Sequence, residues 1–152
     1  MEKPSDDLLA ALKCETLGEA SLRVAACLTV NPKRRRKVEV MRQLETQTKN
    51  RILDYFNQNN IETPNLTGVV LKGAIFGVLF PLSPWEGIIK NTIKETEHYL
   101  ELFNRLEFNA PEDDKELFKY IVAHEEAIKR FAELESQSCD SDTLKPMTDL
   151  LT

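Results

Sequence analysis

The sequence has little of what small β-rich or disulfide-bonded domains are built from. Five glycines and seven prolines in 152 residues fall between periodic stretches, too few for the turn every ten residues or so that an all-β sandwich requires. The three cysteines, Cys14, Cys27 and Cys139, are an odd number without Cys-x-x-Cys spacing. They suggest neither a disulfide framework nor a thiolate zinc site, and nothing marks them as reactive. A reducing, cytoplasmic setting is expected. Met1 to Asp7 is polar and acidic where a secretory signal would be basic and then apolar, so no export is expected. The net charge of -5 argues against broad nucleic-acid binding. There is no phosphate-cradling glycine loop, no Gly-x-Ser-x-Gly elbow and no nucleophile with an evident base, so no substrate class can be read.

What is present is helical periodicity on a chain of one-domain length. Ser5 caps a first helix whose opening turn carries Asp6 and Asp7, charges that suit the positive end of a helix dipole. This helix runs to about Val30, and Asn31-Pro32 stops it while Pro32 opens a second, from about Lys33 to Asn57. A polar connector from Asn57 to Pro64 leads into Leu66 to Leu82, apolar except for Lys72 and interrupted by Gly68, Gly73 and Gly77. Its expected role is a packed crossover helix. Ser83-Pro84-Trp85-Glu86 has the pattern of a capping box, opening a third long helix that reaches about Phe108. Asn109-Ala110-Pro111 ends it, and Glu112, Asp113 and Asp114 begin a fourth that reaches about Ser136. The domain is placed at residues 1–137. Residues 138–152 are read as a flexible tail, although Leu144, Met147, Leu150 and Leu151 could dock.

At about 100° per residue, each long helix shows an apolar stripe with polar intrusions. On the first, Leu8, Leu12, Leu22, Ala26 and Val30 surround a central Glu19, with Glu15 at one edge. On the second, Met41, Leu44, Ile52, Tyr55 and Phe56 enclose Thr48, with Glu45 inside the margin. The third carries Trp85, Ile88, Ile89, Tyr99, Phe103 and Leu106 together with Thr92 and Thr96. Glu95 lies only at its edge, and His98 projects away. The fourth has Leu117, Ile121, Ile128, Phe131 and Ala132, with His124 and Glu125 in the stripe and Glu126 outside it. Carboxylates aimed at a core need a metal, a shared proton or a basic partner. The spacings Glu19–Arg23, Glu45–Lys49 and Glu125–Lys129 supply the basic-partner alternative.

Gly18-Glu19-Ala20, Leu44-Glu45-Thr46-Gln47-Thr48, the apolar stretch ending at Pro84-Trp85, and Ala123-His124-Glu125-Glu126-Ala127 with Phe131 together resemble the ferritin-like, rubrerythrin-related superfamily, over about residues 8–135. The resemblance implies an all-α, antiparallel four-helix bundle with a long crossover between helices two and three. In active members it implies carboxylate-bridged iron or manganese. By position, Glu19, Glu45 and Glu125 would be ligands. Thr48 and Ile128 stand where the pattern has histidines, and the third helix offers Thr96 or edge-placed Glu95 instead of a central glutamate.

Two functional readings follow from this. The first is a binding or interaction module with a partly lost di-metal site, acting as a homo-dimer and needing no cofactor. The second is an iron or manganese oxidoreductase or oxygenase-like enzyme with a non-standard site of Glu19, Glu45, His124 and Glu125. No nucleic-acid partner and no stable membrane insertion are expected. Peripheral membrane contact could run through the basic residues 33–37 and the apolar segment 66–82.

Overall fold

The structure is a computed structural model, and it describes residues 1–137 and 142–152. Among the described residues it is all-helical, with six α-helices, two 3-10 turns and no strand. None of these helices is long and apolar enough to cross a membrane. Cys139 and the start of the expected tail lie outside the described residues. The chain divides into two compact units, Met1–Pro81 and Leu82–Thr152.

The first unit holds α1 (Asp6–Leu28), α2 (Pro32–Gln58) and α3 (Thr67–Leu79). The Leu8 amide donates to Ser5 Oγ at 3.2 Å, so the cap expected at Ser5 forms. Asn31 caps α2 by accepting from the Arg34 amide at 3.1 Å, with Pro32 as the first helical residue. Here Pro32 lacks only an N–H that would have had no intrahelical partner. α2 ends at Gln58, and just past its cap Asn59 stands Asn60, whose φ of 53° is a left-handed conformation that asparagine tolerates. The Ile61 amide then donates to Phe56 O at 2.8 Å and the Asn60 amide to Asn57 O at 3.4 Å, the two bonds of a Schellman cap. Glu2 pairs with Ile61 in an isolated bridge beside this cap.

α1 has a neighbour on two sides. The three-residue link to α2 makes that pair antiparallel, whereas α3 lies parallel to α1. Its register is fixed by two glycines. A Cβ on Gly73 would stand 2.6 Å from Leu17 O, and one on Gly77 would stand 2.7 Å from Val24 Cβ and closer still to Ser21 O. Only a residue without a side chain lets the two backbones approach so closely. Glu15, expected at the stripe edge, is fully buried, on the side of α1 away from the Leu17, Ser21 and Val24 positions that meet α3. Val30, expected on the stripe, is 86% exposed because α1 stops at Leu28 and the chain has already left the helix.

The second unit pairs α4 (Trp85–Asn109) with α5 (Lys115–Ser136) through the 3-10 turn Glu112–Asp114. The expected capping box does not form. Pro84 occupies the cap position in an extended conformation, no side chain caps the helix, and Ser83 is therefore one residue too early. The start of α4 is instead tied across the pair, where Trp85 Nε1 donates to Glu135 Oε2 at 3.0 Å. Glu135 Oε1 accepts from the Thr143 hydroxyl at 2.6 Å. Residues 142–152 include α6 (Lys145–Thr148) with Leu144 and Met147 buried, so this part of the expected tail is packed in the unit.

Gly77→Ala is expected to destabilise the protein by about 1–3 kcal/mol, since the added methyl meets backbone that cannot rotate away. Gly68→Ala, with nothing within 4 Å of the added carbon, should cost nothing. Urea denaturation followed by circular dichroism compares them.

Candidate metal centre

Three carboxylates meet inside the first unit. Glu15 and Glu19 are one turn apart on α1 and both are buried, and half-buried Glu45 reaches them from α2. Gly18 makes the room. A Cβ there would stand 2.8 Å from the Glu45 carboxyl carbon, so any larger residue would displace that group. Oxygens of Glu15 and Glu45 lie within 4.8 Å of each other inside the unit. Two buried carboxylates brought so close repel unless one of them holds a proton or a cation lies between them.

Burial pushes the Glu45 carboxyl up to about 7, with the negative Glu19 adding to the rise against the lowering effect of the Glu15 side chain. Near neutral pH the Glu15–Glu45 pair is therefore poised between holding one proton and losing it. Glu19 is in a different state. Burial alone would raise it, but hydrogen bonds and charge from Lys49 and Arg23 hold it below the ordinary carboxylate range. Arg23 Nη2 donates to Glu19 Oε1 at 2.5 Å, and Lys49 pairs with the other oxygen. Of the three spacings that suggested ion pairs, Glu19–Arg23 forms as expected. Lys49 serves Glu19, and Lys129 faces Glu97 at 3.5 Å and Glu133 at 3.9 Å.

In the second unit His124 and Glu125 are both buried on α5. Burial takes the His124 imidazole down to about 3. It is neutral across the physiological range, so its 3.9 Å approach to Glu125 is not an ion pair. A neutral imidazole keeps a lone pair that can ligate a metal. Glu95, His98 and Glu126 are exposed, in keeping with their placement at or beyond the stripe edge. Thr48 and Thr96 are buried, the latter donating to Ile93 O at 2.8 Å.

The residue that periodicity undervalued is Glu15. Its signal was present in the four-residue step Ala11-Glu15-Glu19, which continues the buried face of α1, but a stripe centred on the leucines put it at the margin. No family model matches the chain, and no curated protein or solved structure is significantly similar to it.

The pH dependence of stability should separate these groups. Glu45 has an ordinary value of 4.5 raised to about 7, so between those values the folded state holds a proton the unfolded state has lost. Its contribution falls as pH rises through that window, by on the order of 3 kcal/mol in total. His124, lowered from 6.5 to about 3, has the opposite slope, because the unfolded state binds the extra proton and stability rises with pH. Glu45→Gln removes the first slope and keeps the second. Relative to wild type, the variant should gain stability steadily from pH 4.5 to pH 7 in urea denaturation series, and a parallel pair of curves would refute the assignment.

Proposed function

We propose that the protein is a ferritin-like helical module in which a two-metal site has contracted to a site for one divalent cation, built on Glu15 and Glu45. The reading is carried by one observation, the approach of the Glu15 and Glu45 carboxylates to within 4.8 Å inside the unit, with the Glu45 ionisation pushed toward neutrality by burial. A divalent ion bound there replaces the proton and takes up charge that burial otherwise disfavours. The donor set fits such an ion. Two adjacent carboxylates suit manganese or iron, and binding should strengthen as pH rises toward 7.

The same residues argue for contraction. Glu19, the expected ligand of the first helix, is already neutralised by Lys49 and Arg23. Thr48, Thr96 and Ile128 stand at positions where a six-ligand bundle site has histidines or a glutamate. A single ion lacks the second metal of a carboxylate-bridged pair, which favours a binding role over redox catalysis. His124 and Glu125 remain in the candidate ligand set on their chemistry. His124 is the specific reason to keep the oxidoreductase reading as the alternative, since a neutral nitrogen donor favours a transition metal over calcium or magnesium.

Anaerobic titration with Mn(II) and Fe(II) tests this. Wild type should bind one ion per chain with release of about one proton at pH 6. Glu15→Gln and Glu45→Gln should each lose at least ~10-fold in affinity, while Glu95→Gln should lose none. Protein that takes up neither metal at any pH up to 8 sinks the proposal. Sustained oxygen consumption by the Fe(II)-loaded protein with a reductant would favour the enzyme over the binding module.

A further inference from the structure

The outer face of α3 is apolar and open. Gly73 and Gly77 mark the side that meets α1. At about 100° per residue, Leu71, Ile75, Val78 and Leu79 fall on the opposite side. Their exposures are 63%, 54%, 52% and 53%, unusually high for four large apolar side chains on one face. Lys72 stands beside this stripe with Nζ 5.6 Å from the centre of the Phe76 ring, a long cation lying along apolar surface.

The packing register decides what stands at the end of that stripe. Because α3 runs parallel to α1, Leu79 arrives at the C-terminal end of α1, where Leu28 and Val30 are exposed. At that end the chain turns into Lys33, Arg34, Arg35, Arg36 and Lys37, the first two turns of α2. The first four are exposed, and Arg35 Nε is fixed by donating to Thr29 O at 2.8 Å. Charge is divided along the chain in the same sense. Residues 1–81 carry 12 basic and 9 acidic side chains, and residues 82–152 carry 8 basic and 16 acidic. The excess is positive only in the unit that bears the apolar face.

We propose that this end of the first unit docks on an anionic lipid bilayer, with the outer stripe of α3 lying among the acyl chains and the 33–37 run against the headgroups. At 13 residues, α3 is about 20 Å long, short of the ~30 Å needed to span the hydrocarbon core but suited to lying in the interface. A second copy is a poorer occupant. A face about 20 Å long and one helix wide supplies only a fraction of the ~800 Å² per partner of a stable interface. A bilayer sets no such minimum, because each immersed apolar side chain adds to partitioning by itself and each cation near an anionic surface strengthens it about fivefold.

Vesicle flotation with the full chain tests the proposal, using phosphatidylcholine vesicles with and without phosphatidylserine at low and high salt. Wild type should float with the serine-containing vesicles at low salt and be largely released at high salt. Ile75→Glu should abolish flotation, and the double variant Arg34→Glu, Arg36→Glu should weaken it at least ~10-fold. These side chains are exposed, so thermal melts should match wild type. If a variant melts early, the salt and lipid dependence of wild type still decides. Absence of flotation, or equal flotation on pure phosphatidylcholine, overturns the proposal. So does a dimer in sedimentation equilibrium that Ile75→Glu dissociates, which would give the face to a second copy.

Discussion

The double packing of α1 governs the first unit. One helix takes α2 on one side and α3 on another, and the α3 contact exists only because Gly73 and Gly77 let backbone approach backbone. A helix held on two sides buries a wider arc than a helix at a surface, and positions that would otherwise be amphipathic margins become interior. Glu15 is buried on the side of α1 away from α3, toward the face where Gly18 meets the Glu45 carboxylate. The same approach turns the small-residue side of α3 toward α1 and so leaves its large residues facing outward. The open apolar face is thus a result of this contact, while the interior carboxyl cluster belongs to the side of α1 that meets α2.

The carboxyl groups of this unit solve the cost of burial in two ways. Glu19 remains charged, held between Arg23 and Lys49 from its own helix and the next. Glu45 and Glu15 meet each other, which is favourable with a proton or a cation between them. Gly18 stands at the meeting point of both solutions. It follows Leu17, whose carbonyl faces Gly73, and precedes Glu19, while its own missing side chain receives the Glu45 carboxylate.

Much of the fold was legible because its punctuation is local. Ser5, Asn31-Pro32 and Asn109-Ala110-Pro111 mark helix ends through the chemistry of their own backbone, and these boundaries fall within about two residues of expectation. The capping box at Ser83 misled for an equally local reason, since Pro84 adopts an extended conformation and moves the helix start by one residue. The site was less legible because burial depends on what a helix packs against. Glu19 and Glu45 were found from their stripes, whereas Glu15, placed at a stripe edge, is fully buried. Likewise Lys49 could be matched to Glu45 by spacing along α2, whereas it pairs across to α1. Val30 shows the complementary error, a periodic position carried past the real end of its helix.

In the second unit, Glu135 joins two parts of the chain that are far apart in sequence, accepting from the Trp85 indole on one oxygen and from the Thr143 hydroxyl on the other. Trp85 is the sole tryptophan of the chain. Its emission therefore comes from one junction, where the start of α4, the end of α5 and the segment carrying Met147 are linked through a single carboxylate. Indole fluorescence responds to the polarity and hydrogen bonding around it. The protein thus carries a built-in optical gauge of whether its C-terminal segment is seated, readable without any label.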